Sequence, residues 1–169
     1  MLKKFICCFF SLGLCFGLSA CKPSEARNQQ ESAKFPVQKT NAEWKKILSP
    51  EAYHVLREQG TERAFTSPLH SKKDPGIYYC RACKQPLFSS QDKFNSGTGW
   101  PSFTRPLKKE QIGTSLDHSL FGSERTEVHC SRCGGHLGHV FADGPAPTGL
   151  RYCMNGVALE FKAGHPVSP

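Results

Sequence analysis

Cys80-Arg81-Ala82-Cys83 and Cys130-Ser131-Arg132-Cys133 are two Cys-x-x-Cys knuckles separated by 46 residues. Two residues between the sulfurs let both thiolates of a knuckle turn toward one tetrahedral ion, with metal–sulfur distances of about 2.3 Å for zinc. Two knuckles supply four ligands and leave no position for water, so a metal held there braces the fold and does no chemistry. One structural zinc per chain is therefore expected on Cys80, Cys83, Cys130 and Cys133. Two alternatives stand beside it. Disulfides suit an exported chain, although a two-residue gap makes a strained ring. A redox Cys-x-x-Cys usually sits near a βαβ unit, and neither pair does. The long gap requires the fold itself to bring the knuckles together.

The chain has nine cysteines. Cys7, Cys8, Cys15 and Cys21 belong to an N-terminal segment discussed below, and the knuckles take four. Cys153 is left over, in Arg151-Tyr152-Cys153-Met154-Asn155. If this is a strand, alternation puts Arg151, Cys153 and Asn155 on one face. A guanidinium beside a thiol favours the thiolate, which is the nucleophile, and Asn155 can donate hydrogen bonds on that face. His136 and His139, in His136-Leu137-Gly138-His139-Val140-Phe141-Ala142-Asp143, are candidate acids for a leaving oxygen near neutral pH. They could also bind zinc, but four thiolates already fill a site. The pattern alone leaves Cys153 with two readings, a nucleophile or an inert buried cysteine.

The elements that must position these residues are short. Thr40-Asn41-Ala42-Glu43 reads as a capping box, followed by an apolar stripe at Trp44, Ile47 and Leu48. Ser49-Pro50 restarts a helix with a cap and a first-turn proline. Ala52, Val55 and Leu56 carry its stripe, and Gly60 is the expected stop. After Gly60, extended stretches are expected at Ile77–Cys80, Glu127–Cys130, Val140–Ala142, Leu150–Met154 and Val157–Phe161. Turns such as Asp74-Pro75-Gly76 and Gly144-Pro145-Ala146-Pro147 separate them. The expected class is mainly β, with short N-terminal helices.

The first twenty residues read as an address. Lys3 and Lys4 precede an apolar run from Phe5 to Leu18, shorter than the roughly 20 residues of a spanning helix. Leu18-Ser19-Ala20-Cys21 resembles the lipobox of bacterial lipoproteins, in which the cysteine is acylated and becomes the new N-terminus. Residues 1–20 are thus expected to be a lipoprotein signal peptide, 21–39 a flexible tether beginning at lipidated Cys21, and 40–165 the folded domain. Two acyl signals normally suffice for stable anchoring. Lys22 after the cysteine resembles lipoproteins sent to an outer membrane. The expected location is exported and membrane-anchored, periplasm-facing or on the outer membrane.

The formal charge is +8, and loss of Lys3 and Lys4 with the signal leaves +6. The excess is spread along the chain, which favours solubility and gives no footprint for nucleic acid. A monomer is expected.

From Trp44 to Phe161 the chain resembles the B-type methionine sulfoxide reductases, which act on the R sulfoxide. The resemblance rests on Leu56-Arg57-Glu58-Gln59-Gly60-Thr61-Glu62-Arg63, Ser96-Gly97-Thr98-Gly99-Trp100-Pro101-Ser102-Phe103, His136-Leu137-Gly138-His139-Val140-Phe141, Gly149-Leu150-Arg151-Tyr152-Cys153 and both knuckles. It implies two antiparallel sheets pinned by zinc, and the reduction of oxidised proteins or peptides. By the same resemblance, Cys153 matches the nucleophile and His139 the residue that protonates the sulfoxide oxygen, with His136 close by. Asn155 matches a polar residue of the site, and Trp100 the indole that packs the methyl on sulfur. Asp143 and Arg151 resemble an orienting charged pair, and Phe103 a pocket wall.

Two positions depart from the family pattern. Lys84 stands where a glycine is common, which bears on the first knuckle's turn. Thr98 stands where many members carry a resolving cysteine. Attack by the Cys153 thiolate leaves that residue as a sulfenic acid, and with no spare thiol an external thiol, expected to be a thioredoxin-like domain, must reduce it directly. The rival functions are a zinc-braced interaction module and a thiol–disulfide exchanger that uses the knuckles.

Overall fold

The computed structural model describes residues 35–118 and 124–164. The signal segment, Cys21 and most of the expected tether lie outside the described residues. Helix α1 (Asn41–Ile47) begins with the expected capping box: the Thr40 hydroxyl accepts from the Glu43 N–H, and the Glu43 carboxylate accepts from the Thr40 N–H. Helix α2 (Pro50–Glu58) is capped by Ser49 and buries Ala52, Tyr53, Val55 and Leu56. Its stop is Gln59, which adopts the left-handed conformation at φ 56°, so the expected role of Gly60 falls one residue earlier. Gly60 instead donates its N–H to His54 O. A Cβ there would lie 2.3 Å from the His54 ring, an exposed side chain with room to turn away.

Among the described residues, nine strands follow in two antiparallel sheets. The small sheet has the order β2-β1-β9, from β1 (Gly76–Cys80), β2 (Pro86–Ser89) and β9 (Leu159–Ala163). The larger sheet runs β3-β4-β8-β7-β6-β5, from β3 (Lys93–Phe94), β4 (Ser102–Phe103), β5 (Ile112–Asp117), β6 (Arg125–Cys130), β7 (His136–Phe141) and β8 (Arg151–Met154). The mainly β class with short helices is as expected. Val157 departs from expectation: Gly156–Ala158 is a 3-10 turn and the strand starts at Leu159. The strands β2 to β5 carry no usable pattern in the sequence. Two of them are two residues long, and β5 is a largely exposed edge strand.

The core lies between the sheets and the helices. Trp44, Val55 and Leu56 from the helices meet Leu137 and Val128 of the large sheet, with Tyr78, Leu87 and Phe88 from the small one. Phe103 is fully buried in this core. It stacks on Phe88 at 4.5 Å and meets Tyr78 edge-on at 4.9 Å. Its ring is therefore a core element and not the expected pocket wall: its neighbour Ser102 pairs with Cys153, so strand alternation sends Phe103 to the opposite face. The last part of the expected tether is also docked. Val37 N–H donates to Arg132 O, Val37 packs on the core, and Phe35 meets His129 edge-on. The apolar side chains of Phe35 and Val37 account for this. No helix among the described residues is long and apolar enough to cross a membrane.

Candidate active site

The knuckles are turns at the ends of β1 and β6, and the fold closes the 46-residue gap between them. Their four sulfurs lie within 4.8 Å of one another. Cys80 and Cys133 sulfurs are 3.7 Å apart, and those of Cys83 and Cys130 are 3.5 Å apart. A tetrahedron with 2.3 Å arms has edges of about 3.8 Å, whereas a disulfide needs about 2.05 Å. All four cysteines are unbridged. The donor set and spacing fit a metal ion. Cys80 shows the crowding: hydrogen bonds among the thiols, Cys130 first, together with burial push its thiol well up. A cation is what would let all four ionise together.

Each knuckle ends on a left-handed residue. Gly134 (φ 68°) donates its N–H to Cys130 O, and Lys84 (φ 61°) donates its N–H to Cys80 O. The departure at Lys84 thus falls on the residue whose conformation favours glycine. The ligands are retained, and the Lys84 ammonium pairs with Glu160.

About Cys153 the structure builds a separate cleft of about 110 Å³, lined by Thr61, Trp100, Arg125, Gly138, His139, Phe141, Cys153 and Asn155. Cys153 lies on β8 between two partners, Ser102 of β4 and His139 of β7. It is half-buried and not sealed in the core. Direct cross-strand partners project to the same face, so His139 stands beside the sulfur.

The two histidines share a face only because β7 is irregular. Val128 pairs with Gly138, but His129 pairs with His136, so β7 carries one extra residue at Leu137. The bulge shifts the alternation, and the His136 and His139 rings come within 5.3 Å of each other. Gly138 makes this packing possible. A Cβ there would sit 2.1 Å from Cys153 O and 2.9 Å from Met154 Cα, both backbone atoms.

His139 Nε2 lies 2.7 Å from Asp117 Oδ2, and Arg125 donates to that same oxygen at 2.7 Å. Burial lowers the pKa of His139. The Asp117 hydrogen bond opposes this, and the nearby Arg125 charge adds to it. His136 does not line the cleft. Its Nδ1 is 2.8 Å from Glu127 Oε1, and Ser115 donates to the other oxygen of that carboxylate at 2.8 Å. Burial would raise Glu127, but these two hydrogen bonds, together with the charges of His136 and His129, leave the carboxyl lowered. His136 thus supports the sheet face beside His139.

Arg151 donates two hydrogen bonds to Asp143, at 2.9 and 2.8 Å, and its guanidinium lies 4.4 Å from the centre of the Phe141 ring. Asp143, with neighbouring Cys153 contributing, holds Arg151 above its ordinary pKa. Trp100 lines the cleft, and its Nε1–H donates to Glu62 O at 3.1 Å. Asn155 is buried just past the end of β8. Its Oδ1 accepts from the Glu62 N–H and its Nδ2 donates to Leu137 O, which leaves one amide hydrogen for other use. Thr98 Oγ1 is 3.8 Å from the Cys153 sulfur and 2.8 Å from Ser96 Oγ, which lies 2.7 Å from Ser102 Oγ.

Sequence reasoning did not single out Asp117, Arg125, Phe141 or the Ser96–Ser102 pair. Asp117 ends an edge strand, IGTSLD, in which no residue is buried, so no local signal marks it.

A family model described as the SelR domain matches residues 48–163. The chain belongs to this family of B-type methionine sulfoxide reductases. It is 57% identical over 130 residues to "Peptide methionine sulfoxide reductase MsrB" of Methanosarcina barkeri, covering 77% of this chain and 91% of that protein. The protein of the same name from Leptospira interrogans is 54% identical over 128 residues, covering 76% and 97%. Among solved structures, the Mis18 "Yippee-like" domain is similar at TM-score 0.43 and 17% identity, over 54% of this chain and 99% of that one. Within the reductase family's fold, Cys153, His139 and Trp100 converge on one cleft.

Proposed function

We propose that the chain reduces methionine (R)-sulfoxide in oxidised proteins or peptides to methionine, with Cys153 as nucleophile. The observation that carries this reading is the direct pairing of Cys153 with His139 in a cleft walled by Trp100. The Cys153 thiolate attacks the sulfoxide sulfur while His139 gives a proton to the sulfoxide oxygen. The S–O bond of the substrate breaks, the hydroxyl passes to the Cys153 sulfur, and methionine leaves. The sulfoxide is reduced by two electrons and Cys153 is oxidised to a sulfenic acid.

Trp100 offers an apolar wall for the methyl on sulfur. Arg151, fixed by Asp143, backs Phe141 and places a positive charge near Cys153. His136 steadies the face that carries His139, and Asn155 closes the end of the cleft. An external thiol, of the kind a thioredoxin-like domain carries, then attacks the sulfenic acid and releases water. Its second thiol frees Cys153 from the mixed disulfide. Thr98 beside the sulfur supports this route, because no resolving thiol stands there.

The metal on Cys80, Cys83, Cys130 and Cys133 is zinc, as four thiolates favour. It braces β1 against β6 and takes no part in the reduction. The sequence of residues 1–21 supports a lipoprotein, lipidated on Cys21 and exported to a periplasm-facing or outer membrane. There it repairs oxidised exported proteins as a monomer, with residues 40–165 as its reductase domain.

The test is an assay of the purified chain on separated R and S sulfoxides of a methionyl peptide, with dithiothreitol as reductant. Turnover of the R form alone, and its loss in Cys153→Ser with folding intact, is the expected result. A folded wild-type chain inert on both forms overturns the reading and leaves a metal-braced binding module. Cys21→Ala tests the anchor: the variant should leave the membrane fraction.

A further inference from the structure

Glu62 is 5% exposed and does not line the catalytic cleft. Its carboxylate accepts the N–H groups of Gly156 and Val157, both at 2.7 Å. These open the 3-10 turn that follows Cys153 and Asn155. The backbone of the same residue reaches two parts of the cleft. Its N–H donates to Asn155 Oδ1 at 2.9 Å, and its carbonyl accepts the Trp100 indole N–H at 3.1 Å.

We propose that Glu62 is a positioning residue for sulfoxide reduction, whose carboxylate clamps its own backbone to the turn after Cys153 and so sets the Trp100 indole against the sulfur. Two backbone N–H groups need two acceptor oxygens, which a carboxylate has and an amide lacks. Burial raises the Glu62 carboxyl, and the Val157 and Gly156 N–H groups oppose that without cancelling it. The Trp100 indole has a single N–H, and it is spent on the Glu62 carbonyl, so the direction of the ring depends on where that carbonyl stands. Glu62 touches no reacting atom, and its effect passes through the wall of the cleft.

The inference rests on the reductase reading, and wild-type activity tests that reading first. In a folded Glu62→Gln chain, kcat/KM for an R-sulfoxide peptide should fall about tenfold or more, since small misplacements at a reacting centre are amplified in rate. The circular dichroism spectrum should be unchanged. A role confined to stability would lower the melting temperature and leave the kcat/KM of folded protein alone. The decisive readout is a double-mutant cycle with Trp100→Phe, which removes the indole N–H. In that background Glu62→Gln should lower kcat/KM by less than about threefold. Equal losses in both backgrounds, or unchanged kcat/KM in the single variant, overturn the proposal. Should Glu62→Gln fail to fold, Glu62→Asp, which keeps the charge but shortens the reach, runs the same cycle under the same criteria. A wild-type chain without activity overturns the reductase reading itself.

Discussion

Cys153 and His139 are direct partners across β8 and β7, so the thiol and the imidazole project from one face of the sheet. The relationship depends on the bulge at Leu137 and on Gly138, whose missing side chain lets β7 lie against the Cys153 backbone. Cys153→Ser should abolish reduction, because a hydroxyl is a far poorer nucleophile than a thiolate. His139→Gln should retain the fold and lower kcat/KM by about 100-fold or more, the scale of a lost general acid. Single-turnover release of methionine measures both. A His139→Gln chain within about threefold of wild type would exclude the imidazole as the acid.

Asp117 extends the pair into a chain of charge from Arg125 through Asp117 to His139. Burial depresses His139, and the Asp117 hydrogen bond partly restores it. Asp117→Asn should therefore move the protonation of His139 to still lower pH. The limb on which kcat/KM falls as His139 loses its proton should shift downward, with lower activity at neutral pH. The same depression has a sign for stability. The unfolded chain takes up the proton more readily than the folded one, so His139 weakens the fold as pH falls through its ordinary value near 6.5. In Asp117→Asn that weakening should extend to lower pH. Rate profiles and denaturation midpoints between about pH 5 and pH 8 check both directions.

The candidate catalytic residues are easier to read from the sequence than the residues that hold them. Cys153 stands out because every other cysteine has an assignment, and the knuckles stand out by spacing alone. Helices α1 and α2 are legible because caps and apolar stripes are local signals. Asp117 and Glu62 are not, because each acts through contacts distant in sequence: Asp117 with His139, and Glu62 with Gly156 and Val157. Phe103 shows the converse error. An aromatic within a site motif belongs to the core when strand alternation turns it away from its functional neighbour.

Thr98 supplies a sharper test of the recycling route. Its hydroxyl lies 3.8 Å from the Cys153 sulfur, so a thiol in its place would be within reach of a sulfur–sulfur bond after a small adjustment of side chains. The wild-type chain, treated with one equivalent of substrate and no reductant, should lose one thiol and carry a sulfenic acid that dimedone traps. Thr98→Cys should lose two thiols and trap no dimedone, because the introduced thiol bonds to the Cys153 sulfur with release of water. Mass spectrometry distinguishes the outcomes. A bridge from Cys153 to a knuckle cysteine in the wild type would contradict the external-thiol route.

Lys84 and Gly134 occupy equivalent turns with φ of 61° and 68°, and only one of them is glycine. A left-handed non-glycine residue costs about 1–2 kcal/mol. Replacing it by glycine gives back about 0.5–1 kcal/mol through the looser unfolded chain. The exposed Lys84–Glu160 pair adds little. Lys84→Gly should thus stabilise the fold by about 0.5 kcal/mol, seen as a small rise in melting temperature. A clear fall would mean that the ion pair outweighs the backbone strain.

The four-cysteine cluster predicts that the stability of the whole domain depends on a bound ion. Its sulfurs join the end of β1 to the end of β6, so the small sheet and the large sheet share one clamp. Without a cation, Cys80 must keep its proton in a crowded, buried site, and the knuckles lose the bonds that close them. Apparent binding free energies at structural zinc sites in small peptides are about 10–16 kcal/mol, comparable to the whole stability of a domain. Stripping the metal with a mercurial and a chelator should therefore abolish cooperative unfolding, and zinc at one equivalent should restore it. Cys80→Ser should bind metal weakly and melt well below the wild type. Because the clamp is separate from the Cys153 cleft, any fraction that stays folded after stripping should reduce sulfoxide at the normal rate per folded molecule. A rate that falls faster than the folded fraction would place the metal in the chemistry.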